Sequence, residues 1–130
     1  MANNAETIRG LYAAFGRGDV PAVFAGLSAN VSWTEAEGFP YGGTYVGHDA
    51  VLQNVFMKLG TEWEGFSVAP QEFIAEGETV VALGQYSGQY KATGKRMSVP
   101  FVHVWKFQGG KVVSFRQHTD TAIVQKALKP

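Results

Sequence analysis

The spacing of apolar residues changes at Trp63, and that change constrains the fold more than any other feature of the chain. Before it, apolar side chains recur every three or four residues. Ile8, Leu11, Tyr12 and Phe15 draw one stripe along a helix of about four turns. After it the period is two. Strands are expected at about 63–73, 79–90, 96–107 and 111–119, punctuated by Glu76-Gly77, Thr93-Gly94 and Gln108-Gly109-Gly110. Helices first and strands afterwards make an α+β chain, with helices packed on one face of an antiparallel sheet.

The first half divides further. Gly16-Arg17-Gly18 ends the first helix. Asp19 is placed to cap a second, short one, with Pro21 in its first turn and Val20, Val23, Phe24 and Leu27 as its stripe. Asn30 to Glu35 alternates as a strand, and a Gly-rich loop follows from Gly38 to Gly47. His48 or Asp49 caps a third helix carrying Leu52, Val55, Phe56 and Leu59, and Gly60 stops it.

Composition narrows the functions. The 130 residues suit a single domain, 1–130. Eleven basic against eleven acidic residues leave no net charge, which argues against a grip on nucleic acid. With 45% hydrophobic and 17% charged residues, the chain can bury a core. It has no cysteine, so thiolate chemistry and cysteine-ligated metals are excluded. Three scattered histidines lack metal-ligand spacing, and a site without metal or cofactor is expected. The opening residues have neither a basic segment nor an apolar run, and no stretch approaches a membrane span, so a cytoplasmic protein is expected.

The third of the long strands is apolar on both faces. Val99, Phe101, His103, Trp105 and Phe107 share one face, and Val102 and Val104 lie on the other with Lys106. The helices can cover only one of them. A second copy pairing through the sheet is the simplest cover for the other, so a homodimer is expected.

Four segments in order carry a resemblance: Leu11 to Val20 (a helix, then Gly-Asp), Val31-Ser32-Trp33-Thr34-Glu35, Gly43 to Val51, and the hairpin Trp105 to Phe115. Together they resemble the NTF2-like superfamily, and within it the SnoaL-like and ketosteroid-isomerase-like branch. The resemblance implies a cone: three N-terminal helices on a strongly curved, mostly antiparallel sheet, with one deep apolar pocket. Residues suited to line it and hold a flat hydrophobic ligand are Trp33, Tyr45, Phe56, Leu59, Phe101 and Trp105.

The same resemblance implies site residues. Glu35 falls where the ketosteroid isomerases place their general base, and an apolar rim would raise its pKa into a useful range. The plainer reading is a solvated loop glutamate. His103 falls where those enzymes place a protonated aspartate that donates to the oxyanion; an imidazole could do the same, or be a satisfied core histidine. The isomerases' oxyanion tyrosine aligns with Leu11. Tyr12 is adjacent but turned by about 100° on the helix, leaving Tyr45 or Tyr86 as substitutes. Asp120, with His118 two residues before it, resembles the acid/base aspartate of SnoaL-like cyclases, although strand parity sets both apart from His103's face, where Phe115 and Gln117 belong. Capping a last helix is the other role open to Asp120. His48 reads as a cap or loop residue, Arg116 as the partner of a surface carboxylate, and Glu62 and Glu64 as a solvated strand edge.

These features lead to a cofactor-independent acid/base enzyme, isomerase or polyketide-cyclase-like, acting on a small hydrophobic carbonyl compound. A dehydratase-like lyase and a non-catalytic binder of a hydrophobic molecule are the alternatives.

Overall fold

A computed structural model describes residues 3–130. Asn3 opens α1 (Asn4–Gly16), its side-chain oxygen accepting from the Glu6 N–H at 2.8 Å. Asp19 caps α2 (Val20–Ala25) in the same way, through the Ala22 N–H at 3.2 Å. β1 (Leu27–Glu35) and β2 (Gly43–Val46) then form a hairpin. The next helix runs unbroken through α3 (His48–Val51), a π-helical turn (Leu52–Phe56) and α4 (Met57–Glu62). Four strands follow: β3 (Trp63–Glu76), β4 (Thr79–Tyr90), β5 (Arg96–Gln108) and β6 (Lys111–Thr119), before α5 (Thr121–Leu128) closes the chain.

The six strands lie in the order β2-β1-β6-β5-β4-β3. Only β1 and β6 run parallel; every other pair is antiparallel. The inner face is continuous across the sheet. On one rung Trp33 pairs with Phe115, Phe115 with Trp105 and Trp105 with Val80. On the next, Gln117 pairs with His103 and His103 with Ala82. All of these side chains are buried, and α1 and the third helix pack over them.

The sheet curls around this face. Register shifts interrupt β3 against β4 between Glu64 and Ser67 and again between Pro70 and Glu72. Such irregularities bend the bulged strand and increase its twist. Opposite the second of them lies Gly84, where a Cβ would stand 2.3 Å from the Ala69 carbonyl oxygen and 2.8 Å from the Pro70 Cα. Glycine is what allows β3 to approach so closely.

The architecture is the α+β cone expected from the sequence, with local differences. The Gly-rich segment contains β2, because Trp33 and Thr34 find backbone partners in Tyr45 and Thr44. Gly60 does not stop the third helix. It sits exposed in open space, and the helix continues to Glu62. Glu62 is not a free edge residue either: it accepts from the Tyr41 hydroxyl at 2.6 Å, which in turn accepts from the Trp63 indole at 3.1 Å. Among the described residues Arg116 has no carboxylate partner, and the ion pair there is Arg17–Asp19 at 3.3 Å. No helix of the described residues is long and apolar enough to cross a membrane.

Candidate active site

The helices and the curled sheet leave a hollow between them. Its walls come from α1 and α2 (Leu11, Tyr12, Phe15, Val23), from the third helix, and from the inner face of β1, β3, β4, β5 and β6. Counting its mouth, the hollow encloses about 530 Å³. Its lining is almost wholly apolar, so the few polar groups in it stand out.

Glu35 is the first. It ends β1, one residue pair beyond Trp33, and period-two alternation turns both side chains to the same face. It is 4% exposed, and its Oε2 has no hydrogen-bond partner among the described residues. Burial pushes its carboxyl from an ordinary 4.5 up to about 8, because the apolar wall disfavours the charged form. The Trp33 indole N–H is buried and unpartnered too.

His103 is the second, on the central strand β5. It is 4% exposed and stacks on Phe101, with ring centroids 4.1 Å apart. Both ring nitrogens are occupied. Nδ1 hydrogen-bonds the Tyr12 hydroxyl at 2.6 Å, and Nε2 hydrogen-bonds the Tyr86 hydroxyl. The ends of this chain are donors: the Trp105 indole to Tyr12 at 3.0 Å, and the Gln117 amide to Tyr86 at 3.0 Å. Burial, followed by the charge of nearby His118, drives the His103 pKa well below 6.5, so the ring is neutral. Burial raises both phenols above their ordinary range, and the charge of Glu35 raises Tyr86 further.

The structure thus brings together Glu35 and His103, and with them Trp33, Phe56, Leu59, Tyr86 and Trp105. Four other candidates lie elsewhere. Asp120 is exposed and caps α5, its carboxylate accepting from the Ile123 N–H at 3.4 Å. His118 is exposed on the opposite face of β6, as parity requires. Phe101, 1% exposed, forms the floor under His103 and does not reach the hollow. Tyr45 turns its hydroxyl to the Tyr41 carbonyl at 2.8 Å.

Tyr12 is the main correction. The 100° step from Leu11 does not carry it out of the site, because the apolar stripe is wide enough for both residues to face inward. Its place in the Ile8–Phe15 stripe was the signal. Phe39, from the β1–β2 connection, and Phe66 and Val68, on β3, complete the lining. His48 is neither cap nor loop: it is the first residue of α3, Gly47 holds the cap position, and the His48 Nε2 lies 3.1 Å from the Leu27 carbonyl with its ring stacked on Phe24. Among the described residues no three His, Asp or Glu side chains converge as metal ligands would.

The model of the SnoaL-like domain matches residues 8–115. The chain belongs to the SnoaL-like domain family. Solved structures agree with that membership. An NTF2-like protein from Burkholderia thailandensis is 39% identical with a TM-score of 0.97, each chain covering 100% of the other. An NTF2-like protein of unknown function from Burkholderia pseudomallei is 38% identical, with a TM-score of 0.91 and the same full coverage. TerC, co-crystallised with polyporic acid, is 28% identical with a TM-score of 0.86, over 96% of this chain and 97% of its own. No curated protein matches this SnoaL-like chain.

Proposed function

We propose that this SnoaL-like protein is a cofactor-independent acid/base enzyme that moves a proton next to the carbonyl of a small hydrophobic metabolite, as an isomerase or a polyketide-cyclase-like enzyme. One observation carries the reading: a buried carboxyl with a free oxygen, its pKa raised to about 8, in an apolar hollow whose wall also holds a chain of phenols and imidazole. A carboxylate so tuned is a far stronger base than one in water, and it still ionises near neutral pH. Glu35 takes the proton from the carbon beside the carbonyl. A phenolic O–H from the Tyr12–His103–Tyr86 chain hydrogen-bonds the carbonyl oxygen as it gains enolate charge. The Glu35 carboxylic acid then returns the proton to another carbon, or the enolate attacks an internal carbonyl to close a ring and the new alkoxide takes the proton.

The test uses proton exchange at the carbon beside the carbonyl of a small β,γ-unsaturated cyclic ketone in D2O, followed by NMR. Glu35→Gln keeps the shape and removes the base, and should slow exchange by at least about a hundredfold. Exchange at the full rate in that variant would reject the mechanism.

The outer sheet face is the surface we propose for a second copy. Val81 faces Val104 and Leu83 faces Val102 there, all four half-buried, and Glu72 lies beside Leu83 while Arg116 lies beside Val104. A two-fold axis through this face would bring opposite charges around an apolar centre. Val104→Glu should convert a dimer to a monomer in light scattering; a monomeric parent protein would overturn the proposal.

A further inference from the structure

Counting hydrogens along the Tyr12–His103–Tyr86 chain leads to a role for His103. It rests on the reading of the hollow as an acid/base site. The two ends of the chain are fixed. Trp105 Nε1 can only donate, so the Tyr12 oxygen must accept there. The Gln117 amide is oriented as well: its carbonyl oxygen accepts from the Ala36 N–H at 3.0 Å, so its nitrogen faces Tyr86 and donates.

Between those ends a neutral imidazole supplies one N–H, and the two phenols supply one O–H each. That is three hydrogens for two contacts. One phenolic hydrogen is left over whichever way the ring is protonated. With the proton on Nδ1, the ring donates to Tyr12, Tyr86 donates to Nε2, and the Tyr12 hydrogen is free. With the proton on Nε2, the roles exchange and the Tyr86 hydrogen is free. Both phenols line the hollow, but Tyr12 is half-buried whereas Tyr86 is 3% exposed. A free hydroxyl hydrogen is far less costly where a ligand or water can reach it than where it would be buried without an acceptor.

We propose that His103 is a positioning residue standing as the Nδ1–H tautomer, and that by donating to Tyr12 it releases the Tyr12 hydroxyl hydrogen to bind the oxygen of a carbonyl ligand. The imidazole itself does not touch the substrate, since both nitrogens are taken. The class of ligand follows: one oxygen acceptor, a ketone or enolate, at the level of α1, with the carbon to be deprotonated on the Glu35 side of the hollow.

Long-range ¹H–¹⁵N correlation of the imidazole rings in ligand-free, ¹⁵N-labelled protein at pH 7 reads the tautomer directly. His103 should show a protonated Nδ1 and a bare Nε2. In Tyr86→Phe that pattern should stay, because Nδ1–H keeps its acceptor. In Tyr12→Phe it should invert, because an orphaned N–H is worse than an orphaned lone pair and Tyr86 can accept instead. An Nε2–H ring, an imidazolium, or rapid exchange between tautomers in the parent protein would overturn the assignment, as would a pattern unchanged by Tyr12→Phe. The measurement needs no turnover. It can fail while Glu35→Gln still abolishes proton exchange, or succeed while Glu35→Gln leaves exchange intact, so the two proposals stand or fall separately.

Discussion

Gln117 and Ala36 lock the far end of the polar chain: the backbone N–H of Ala36 donates to the Gln117 side-chain oxygen at 3.0 Å, one residue after Glu35. The same amide then has its nitrogen 3.0 Å from the Tyr86 hydroxyl. One buried side chain therefore ties the end of β1, which presents Glu35, to the chain that presents the phenols. Gln117→Leu keeps the bulk and leaves the Ala36 donor and the Tyr86 hydroxyl short of a partner. Each unmade buried bond costs about 1–3 kcal/mol, so a loss of roughly 3 kcal/mol is expected in urea unfolding. A loss below about 1 kcal/mol would mean that water replaces the amide.

Glu35 and His103 shape stability against pH in opposite directions. The folded chain holds a proton on Glu35 up to about 8 that the unfolded chain releases near 4.5. The resulting stabilisation is complete below about 4.5 and is lost as pH rises to about 8. At about 1.4 kcal/mol per unit the shift amounts to an upper limit on the order of 5 kcal/mol. His103 refuses a proton that the unfolded chain takes up below 6.5, so its contribution is present above 6.5 and is lost as pH falls. Between 4.5 and 6.5 the two slopes oppose each other; above 6.5 only that of Glu35 acts. The urea midpoint should fall from pH 6.5 to pH 8.5 in the parent protein and stay level in Glu35→Gln.

Activity follows the same group with its own sign. As the base, Glu35 works ionised, so proton exchange should climb tenfold per pH unit below about 8 and level off above it. A rate already level from pH 5 would place the working base on a group other than Glu35.

Much of this was legible in the sequence. The alternation from Val99 to Phe107 placed His103 on the buried face, and the strand Val31–Glu35 placed Glu35 beside Trp33, because period-two geometry leaves few choices once one face is covered. The position that aligns with the isomerases' tyrosine is Leu11, but an apolar stripe covers enough of a helix surface for Tyr12 to face inward beside it. The bonds of His103 depend on Tyr12 and Tyr86, 91 and 17 residues away in sequence, and no local pattern encodes such a meeting. Asp120 illustrates the converse. The resemblance favoured an acid, but the local grammar of an Asp before Thr121-Ala122-Ile123-Val124 was that of a cap, and the cap is what formed.

Capping and acid/base work at Asp120 separate cleanly. Asn caps a helix as well as Asp but cannot exchange a proton. Asp120→Ala should lower stability by about 1 kcal/mol, and Asp120→Asn should recover most of it. If Asp120→Asn unfolds as readily as Asp120→Ala, the charge at this position contributes more than the hydrogen bond to Ile123.

Gly84 joins the curl of the sheet to the site. A methyl group there would meet the Ala69 carbonyl and the Pro70 backbone, neither of which can rotate away, and would stand 2.5 Å from the Phe101 ring. Phe101 is the ring on which His103 stacks. Gly84→Ala must therefore push β3 off β4 or push Phe101 into His103, at a cost of about 1–3 kcal/mol or more for overpacking. The two responses differ in what they disturb. If β3 moves, Tyr12 and Tyr86 keep their bonds and the His103 ring signals stay in place. If Phe101 moves, the His103 signals shift and proton exchange slows with them. The Ala69 oxygen is the closer obstacle, at 2.3 Å, but β3 is the edge strand and has only one neighbour to lose. The expected outcome is a destabilised variant whose His103 tautomer is unchanged; an altered tautomer would show instead that the floor beneath the imidazole yields before the edge of the sheet does.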